Sequence, residues 1–182
     1  TGGGAGKPTI SADGNCVAWT TSHTGSTIVA GAVAGFNVFV RDVTAGTTVL
    51  VNRASGAAGT PSGSPAFEGN ISANCSHVTF NCNSCTGLTP ATTGALNNQV
   101  FIRQLASPFN TERASLKDGL TDVVGGTPNN TSGHAPVIAD GRHVAFASQP
   151  AAPEPGVVTF VLSYVPHRHT HATQPGSRSP QE

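Results

Sequence analysis

Charged residues are scarce in this sequence. Only 10% of its 182 residues are charged, whereas long surface helices usually carry abundant Lys and Glu, so a helical protein is disfavoured. The 22 glycines and 13 prolines predict many turns instead. The chain is long enough for one domain with a real core, and 37% of its residues are hydrophobic. We therefore expect a single all-β domain.

Two further absences limit the functions. Nine basic residues balance nine acidic ones without forming a cluster, and nucleic-acid binding depends on clustered Lys and Arg. The longest apolar run, VVTFVLSYV at residues 157–165, is strand length and shorter than the roughly 18 to 20 residues that cross a bilayer. We expect neither nucleic-acid binding nor a membrane span. The start, TGGGAGKP, has no signal-peptide pattern, so the compartment must be inferred indirectly.

What the sequence does contain is internal repetition. The stretch ISADGNCVAW at residues 10–19 returns as ISANCSHVTF at 71–80 and as IADGRHVAF at 138–146. Independently, NVFVRDV at 37–43 returns as QVFIRQL at 99–105. Two unrelated motifs thus share an offset of 61 or 62 residues. A common period of this size predicts a repeat architecture.

Each repeat is predicted to contain four short strands. In the first, residues 8–11 and 17–21 flank the turn ADGN and form a hairpin, since glycine tolerates a positive φ. FNVFVRDV and TTVLVN, separated by the turn residues TAG, supply two more strands. Four strands are the content of one propeller blade. In the second repeat we predict strands at residues 70–73, 78–81, 99–105 and 111–116.

The third repeat is incomplete. PVIADGRHVAFAS at residues 136–148 matches the opening hairpin. The next copy of the arginine-containing strand is due near residue 165, where VPHR is a weak match. The polar end, residues 166–182, is predicted to be a disordered tail.

The combination of PTISADGNCVAW at residues 8–19 with VFVRDVTAGTT at 38–48 resembles the WD40-like (PD40-type) repeats of TolB-like β-propellers. The resemblance implies four-stranded antiparallel blades in an incomplete or open propeller, because family rings close with six or more blades and this chain supplies about two and a half. We expect a partial propeller over residues 1–165, with blades at about 8–54, 65–117 and 134–165. We also expect the chain to be a piece of a longer polypeptide. The residues that carry the signature are Ser11, Asp13, Gly14, Trp19, Arg41, Asp42, Phe80, Arg103, Asp140, Gly141 and Phe146.

Several of these residues have a predicted structural role. Asp13 and Asp140 follow the first strand of their repeats, where a carboxylate accepts hydrogen bonds from nearby backbone N–H groups. Arg41 and Arg103 follow the apolar part of the third strand. We predict that these arginines form bridges between strands or between blades.

The four cysteines allow one disulfide to be predicted. Cys75 and Cys82 bracket a strand, and seven residues of about 3.3 Å each separate them by roughly 23 Å, far beyond a limit of roughly 7 Å between bonded cysteines. Cys82 and Cys85, at the loop that leaves the strand, are the predicted pair. Such a disulfide fits an exported protein. Buried free thiols at Cys16 and Cys75 stay an open alternative.

Alignment of the repeats places Cys16, His77 and His143 at one position, directly before the valine of the second strand. Three ligand-type residues at equivalent positions suggest a metal ring, but such positions converge only on the innermost strand. We therefore expect a blade-to-blade contact at this position, with no metal and no other cofactor. The histidines of HRHTH, residues 167–171, are predicted to be solvated in the tail.

We predict a non-catalytic function, because the sequence has no G-x-S-x-G nucleophile motif and no recognisable Cys/His pair. The family resemblance implies a module of an exported bacterial protein, periplasmic or extracellular, that binds another protein or an envelope component. Further blades would come from the same or another chain. Two alternatives stay open: the accessory propeller of a larger secreted hydrolase of the prolyl-oligopeptidase type, and a truncated or decayed fragment without function.

Overall fold

Antiparallel sheets are the framework of the protein. The computed structural model describes residues 4–22, 28–89, 99–115, 130–131, 141, 143–149 and 159–162. In this part of the chain the regular elements are eleven short strands, which form three sheets. The expected all-β fold is confirmed. No helix among the described residues has the length and apolar character needed to cross a membrane.

The first sheet is a four-stranded meander in which each strand pairs with the next. Its pairing aligns Ile10 with Val17, Val17 with Arg41, and Arg41 with Thr48. β-branched and aromatic residues favour the strands, and Gly14 and Gly46 adopt positive φ in the turns that join them. The strands are β1 (Thr9–Ile10), β2 (Cys16–Thr21), β3 (Asn37–Asp42) and β4 (Thr47–Leu50).

The second sheet has the same order and the same register. Ile71 lies opposite Val78, Val78 opposite Arg103, and Arg103 opposite Thr111. Its first strand starts at residue 66 and not at the predicted residue 70, because a register shift between Phe67 and Asn70 lets the strand continue upstream. The strands are β5 (Ala66–Ile71), β6 (His77–Cys82), β7 (Gln99–Gln104) and β8 (Thr111–Arg113).

The third sheet combines three strands, β9 (Asn130–Thr131), β10 (Ala145–Gln149) and β11 (Thr159–Leu162). β10 is the central strand, with β9 and β11 on either side. β9 begins upstream of residue 134, and β11 lies upstream of residue 165, the position at which the repeat places the third strand. Residues 132–140, with Asp140, and the tail 166–182 lie outside the described residues.

The first two sheets pack face to face, chiefly through β5, which contacts β1, β2 and β3. Alternation along the strands places one set of small and β-branched side chains of the first sheet against one set of larger side chains of the second. Each fully buried residue of this size contributes about 1.5–3 kcal/mol. The contributing residues include Ala18, Val38 and Val40 of the first sheet and Ile71, Val78, Phe80 and Phe101 of the second.

A glycine lets the two sheets approach closely. A Cβ atom built on Gly69 of β5 would lie 2.5 Å from Cγ1 of Val38 and 3.8 Å from Cβ of Ala18. Both neighbours belong to the buried face of the first sheet. Any side chain at residue 69 would therefore push the sheets apart.

Replacement of Gly69 by alanine (Gly69→Ala) should lower the free energy of unfolding by about 1–3 kcal/mol, as expected for a methyl group forced into a filled core. Denaturant unfolding followed by circular dichroism measures the loss. Gly6→Ala is the control, because a Cβ there would keep 3.2 Å from Cβ of Thr20 and should cost less. Equal losses in the two variants would contradict the packing argument.

Candidate functional site

The signature turn of the first sheet is organised by Asp13. The Ser11 hydroxyl and the backbone N–H of Asn15 both donate to Oδ1 of Asp13, at 2.6 and 3.0 Å. The backbone N–H of Cys16 in turn donates to Oγ of Ser11 at 2.9 Å. Gly14 completes the turn at φ +75°. Asp13 thus has the role of a turn acceptor within its own hairpin.

Asn74 is the hydrogen-bond acceptor of the equivalent turn in the second sheet. Its Oδ1 accepts hydrogen bonds from the Ser72 hydroxyl at 2.8 Å and from the N–H of Ser76 at 3.1 Å. The N–H of His77 donates to Oγ of Ser72 at 3.0 Å. The turn therefore requires a side-chain oxygen that accepts hydrogen bonds, and the charge of Asp13 is not essential to its shape.

The Asp13 carboxylate is stabilised in its ionised form. The Ser11 hydroxyl lowers the pKa of Asp13 most, followed by the backbone and side chain of Asn15. The folded pKa lies below the ordinary value of 3.8. The stabilisation is therefore complete above about pH 4 and is lost as the pH falls through the lowered pKa.

Asp13→Asn should keep the fold at neutral pH and should weaken the acid dependence of stability. An asparagine can accept the same hydrogen bonds, as Asn74 does, but it does not titrate. Thermal unfolding midpoints between pH 7 and pH 2 would show a flatter curve for the variant than for the native chain. Parallel curves would mean that Asp13 does not contribute to the acid sensitivity.

Two disulfides are present, and one of them was not predicted. Cys82 and Cys85 form the pair that the sequence predicts, with their Cα atoms 5.6 Å apart. Cys16 and Cys75 form a second bond, with Cα atoms 5.8 Å apart, so the alternative of free thiols at these positions is wrong. Distances along one strand could exclude Cys75–Cys82, but they say nothing about neighbouring sheets. The available signal was the repeat itself, since both residues lie in equivalent hairpins.

The Cys16–Cys75 bond joins neighbouring sheets. Alignment of the repeats predicted a contact of this kind at the position that Cys16 and His77 occupy in their repeats. The ring of His77 lies against Gly141 of the third repeat, where any Cβ atom would overlap it. Cys75 and Gly141 are equivalent turn residues and both have positive φ, +58° and +75°. The first residue of β2 and of β6 thus contacts one turn position of the next repeat. No group of three His, Cys, Asp or Glu suited to a metal ion occurs in the described ranges.

The two disulfides should differ in their effect on stability. Cys16→Ser with Cys75→Ser should lower the free energy of unfolding by about 2–4 kcal/mol, because a bond that closes a long loop restricts the unfolded chain most. Its partners are 59 residues apart, against 3 for the other pair. The control is Cys82→Ser with Cys85→Ser, which should therefore lower the free energy of unfolding less. Denaturant unfolding under oxidising conditions measures both losses. The reverse order would refute the assignment.

Arg103 connects the two sheets through hydrogen bonds to main-chain carbonyls. Its Nη1 donates to the carbonyl oxygens of Arg53 and Ala54 at 3.1 and 2.7 Å, and its Nη2 to that of Gly56 at 2.9 Å. Nη1 also donates to Oγ1 of Thr111 at 2.6 Å. Burial, followed by the charge of Arg53, lowers the pKa of Arg103 to about 10, so it stays a cation at neutral pH. Arg103 is the predicted bridge between blades.

Most of the remaining signature residues form contacts within their own sheet. Arg41 is exposed and donates to Oγ1 of Thr48 at 3.2 Å, which makes it a bridge between strands. Oδ1 of Asp42 accepts a hydrogen bond from the N–H of Ala45 at 2.7 Å in the following turn. Trp19 stacks on Phe39, and Phe80 on Phe101, at centroid distances of 5.7 and 5.5 Å. Phe146 lies in β10, and Asp140 lies outside the described residues.

A cleft lies elsewhere, where the first strands of the two sheets meet. It has a volume of about 720 Å³. Phe36 and Phe67 contribute an aromatic pair with a centroid distance of 5.2 Å. Lys7 and Glu68 contribute charges of opposite sign. The other lining residues are Gly6, Pro8, Thr9, Thr20, Gly69, Asn70 and Asn81.

The conformation of Glu68 shapes this cleft. Glu68 has φ +55°, which is uncommon for a residue with a side chain, and it lies within the register shift of β5. Asn70 Nδ2 donates to its carbonyl oxygen at 2.9 Å, and Asn81 Nδ2 donates to Oε2 of its carboxylate at 2.8 Å. Backbone conformations of this kind often mark functional positions.

The side chain of Thr9 connects the two sheets beside Glu68. The Thr9 hydroxyl donates to the carbonyl oxygen of Gly69 and accepts from the N–H of Ile71, both at 3.1 Å. The repeat pattern of the sequence does not predict this cleft. The signal was available in the sequence FEG at residues 67–69, since a charge and a glycine inside a strand indicate a bulge.

Comparison with known proteins identifies the architecture. No family model and no curated protein matches the sequence. Among solved structures, an orthorhombic crystal form of Pyrococcus horikoshii acylaminoacyl peptidase is similar to 96% of this chain, with a TM-score of 0.51 at 9% identity. The tricorn protease gives a TM-score of 0.48 at 11% identity over 94% of the chain. TolB from Acinetobacter baumannii gives 0.38 at 11% identity over 90%.

The similarity concerns the fold and only part of each structure. The chain spans 26% of the acylaminoacyl peptidase, 16% of the tricorn protease and 41% of TolB. At such low identity no activity transfers with the fold. Successive four-stranded antiparallel sheets packed face to face define the class, and the chain has a β-propeller fold.

Proposed function

We propose that this chain is a non-catalytic binding module of the TolB-like, PD40-type propellers, and that it binds an extended segment of a partner protein. The observation that carries the proposal is the cleft of about 720 Å³ between β1 and β5, with Glu68 on its wall. Ligand pockets in proteins typically measure about 300–1,000 Å³. The cleft is thus large enough for several residues of a peptide.

The lining favours a partner segment with apolar and cationic side chains. The Phe36–Phe67 pair offers an aromatic surface, and aromatic surfaces contribute strongly to protein recognition. Glu68 is half-buried, and its Oε2 has a hydrogen bond from Asn81 that orients the carboxylate. A Lys or Arg side chain laid along the rings could place its charge on this carboxylate.

The two disulfides support an exported location for the module. Disulfides persist in oxidising compartments and are rare in the cytosol of mesophiles. Cys16–Cys75 links two sheets, so its loss in a reducing compartment would weaken the packing between them. We therefore propose a periplasmic or extracellular protein.

A second candidate is the accessory propeller of a larger hydrolase. The similarity to an acylaminoacyl peptidase, of which this chain spans 26%, favours it. In that case the cleft would position a peptide for catalytic residues outside these 182 residues. The adjoining reading frame distinguishes the two candidates, because the hydrolase candidate requires a nucleophile-bearing α/β domain encoded in the same frame.

Peptide binding tests the proposed site directly. A fluorescein-labelled peptide of alternating Leu and Lys should bind the native chain more tightly than one of alternating Leu and Glu in fluorescence anisotropy. Glu68→Gln should weaken binding of the Lys peptide about tenfold, which corresponds to about 1.4 kcal/mol for one charged hydrogen bond. Phe67→Ala should weaken the binding of both peptides.

Glu112→Gln is the matched control, since Glu112 lies on β8 and does not line the cleft. The control should bind like the native chain. Equal affinity for the two peptides, or equal losses in the two glutamate variants, would remove the support for this site. Cleavage of either peptide by the purified chain would contradict the non-catalytic role.

A further inference from the structure

The two faces of the first sheet have different surroundings. One face, with Ala18, Val38 and Val40, packs against the second sheet. The opposite face is formed by Ile10, Val17, Trp19, Phe39, Arg41 and Thr48, which alternate with the first set along the strands. We call this second set the open face.

The open face corresponds, position by position, to the face by which the second sheet packs on the first. The shared register aligns Ile10 with Ile71, Val17 with Val78, Trp19 with Phe80, Phe39 with Phe101 and Arg41 with Arg103. In the second sheet these residues contact the first sheet through the common core and through the hydrogen bonds of Arg103. The open face therefore has the composition of a face that another blade covers.

Several side chains of the open face are much more exposed to solvent than the equivalent side chains of the second sheet. Ile10 is 62% exposed and Ile71 only 7%. Arg41 is exposed, whereas Arg103 is 4% exposed. Trp19 is half-buried, while its counterpart in the second sheet is fully buried. Phe39 is buried in the first sheet as its counterpart is in the second, and its ring stacks with Trp19. Thr21, Asn37 and Leu50, on the same side of the first sheet, are buried as well, so the exposed part of this side is the part near Ile10 and Arg41.

Arg41 is positioned to bind a blade. It donates to Thr48 on the neighbouring strand, as Arg103 donates to Thr111. Arg103 uses its remaining N–H groups on three carbonyl oxygens of the segment that follows β4 in the adjacent sheet. A corresponding segment, brought to Arg41 by another blade, would supply the carbonyl acceptors that a guanidinium group needs when it is buried.

We propose that the open face docks the third sheet of a second copy of this chain, so that two copies close a six-bladed ring. The sheets follow one another in a constant order, because β9 contacts β7 as β5 contacts β3. The two ends of such an arc are therefore complementary. The described residues of each copy form three sheets, so two copies give six, within the range of about four to eight blades in closed propellers. The two-fold symmetry of a dimer closes this contact.

The only tryptophan of the chain reports on this interface, because Trp19 lies in the open face. Light scattering after gel filtration should give a mass about twice 18.3 kDa. On dilution the dimer should dissociate, and the emission of Trp19 should shift to longer wavelength as water reaches the indole. Ile10→Glu and Arg41→Glu should each favour the monomer and weaken association at least tenfold.

Val49→Glu is the matched control, since Val49 is 44% exposed but lies on the same face as Val40. It should dimerise like the native chain. Circular dichroism establishes that each variant folds. If Arg41→Glu does not fold, Arg41→Lys is measured in its place.

Three outcomes would overturn the proposal. The first is a monomer at all concentrations, and the second is a dimer that the open-face variants leave unchanged. The third is growth into open-ended polymers, since it excludes a closed ring. In the first case, protection of Trp19 in a tandem fusion of two copies would assign the open face to a blade of the same polypeptide.

Discussion

The packing of one sheet on the next is the interaction on which the rest of this structure depends. A four-stranded sheet with apolar side chains on both faces cannot bury them alone. Here Ala18, Val38 and Val40 are buried because β5 lies against them, and Gly69 allows that approach by having no side chain. The hairpins, the disulfide between sheets and the cleft all derive their positions from this contact.

The contact between sheets is reinforced at its edges by different chemistry in equivalent places. Cys16 forms a covalent bond to Cys75, whereas His77 lies against Gly141. The N–H of Ala12 also donates to the carbonyl oxygen of Ala73, 2.9 Å away, so the two turns are joined by main chain as well. The two contacts between sheets therefore have the same arrangement of neighbouring turns, but the side chains that meet there differ.

The cleft is a consequence of the same packing and of one local departure from it. Thr9 links the first strands of the two sheets, which would otherwise form a continuous wall. The register shift at Glu68 interrupts that wall and leaves a carboxylate and two aromatic rings around the opening. The proposed binding site therefore lies at a position at which the regular strand pattern is interrupted.

The sequence by itself determined the class of fold, the hairpin turns and the strands of the first two sheets with the exception of β5, whose register shift was not predicted. These features follow from alternation, β-branched residues and turn chemistry, which act within a few residues of one another. It also determined that Arg103 bridges, because the repeat marks the position. Only the tertiary structure decided that Cys16 bonds to Cys75 and that Glu68 faces a cleft. Both depend on distances between sheets, and such distances are set by side-chain packing across segments about 60 residues apart.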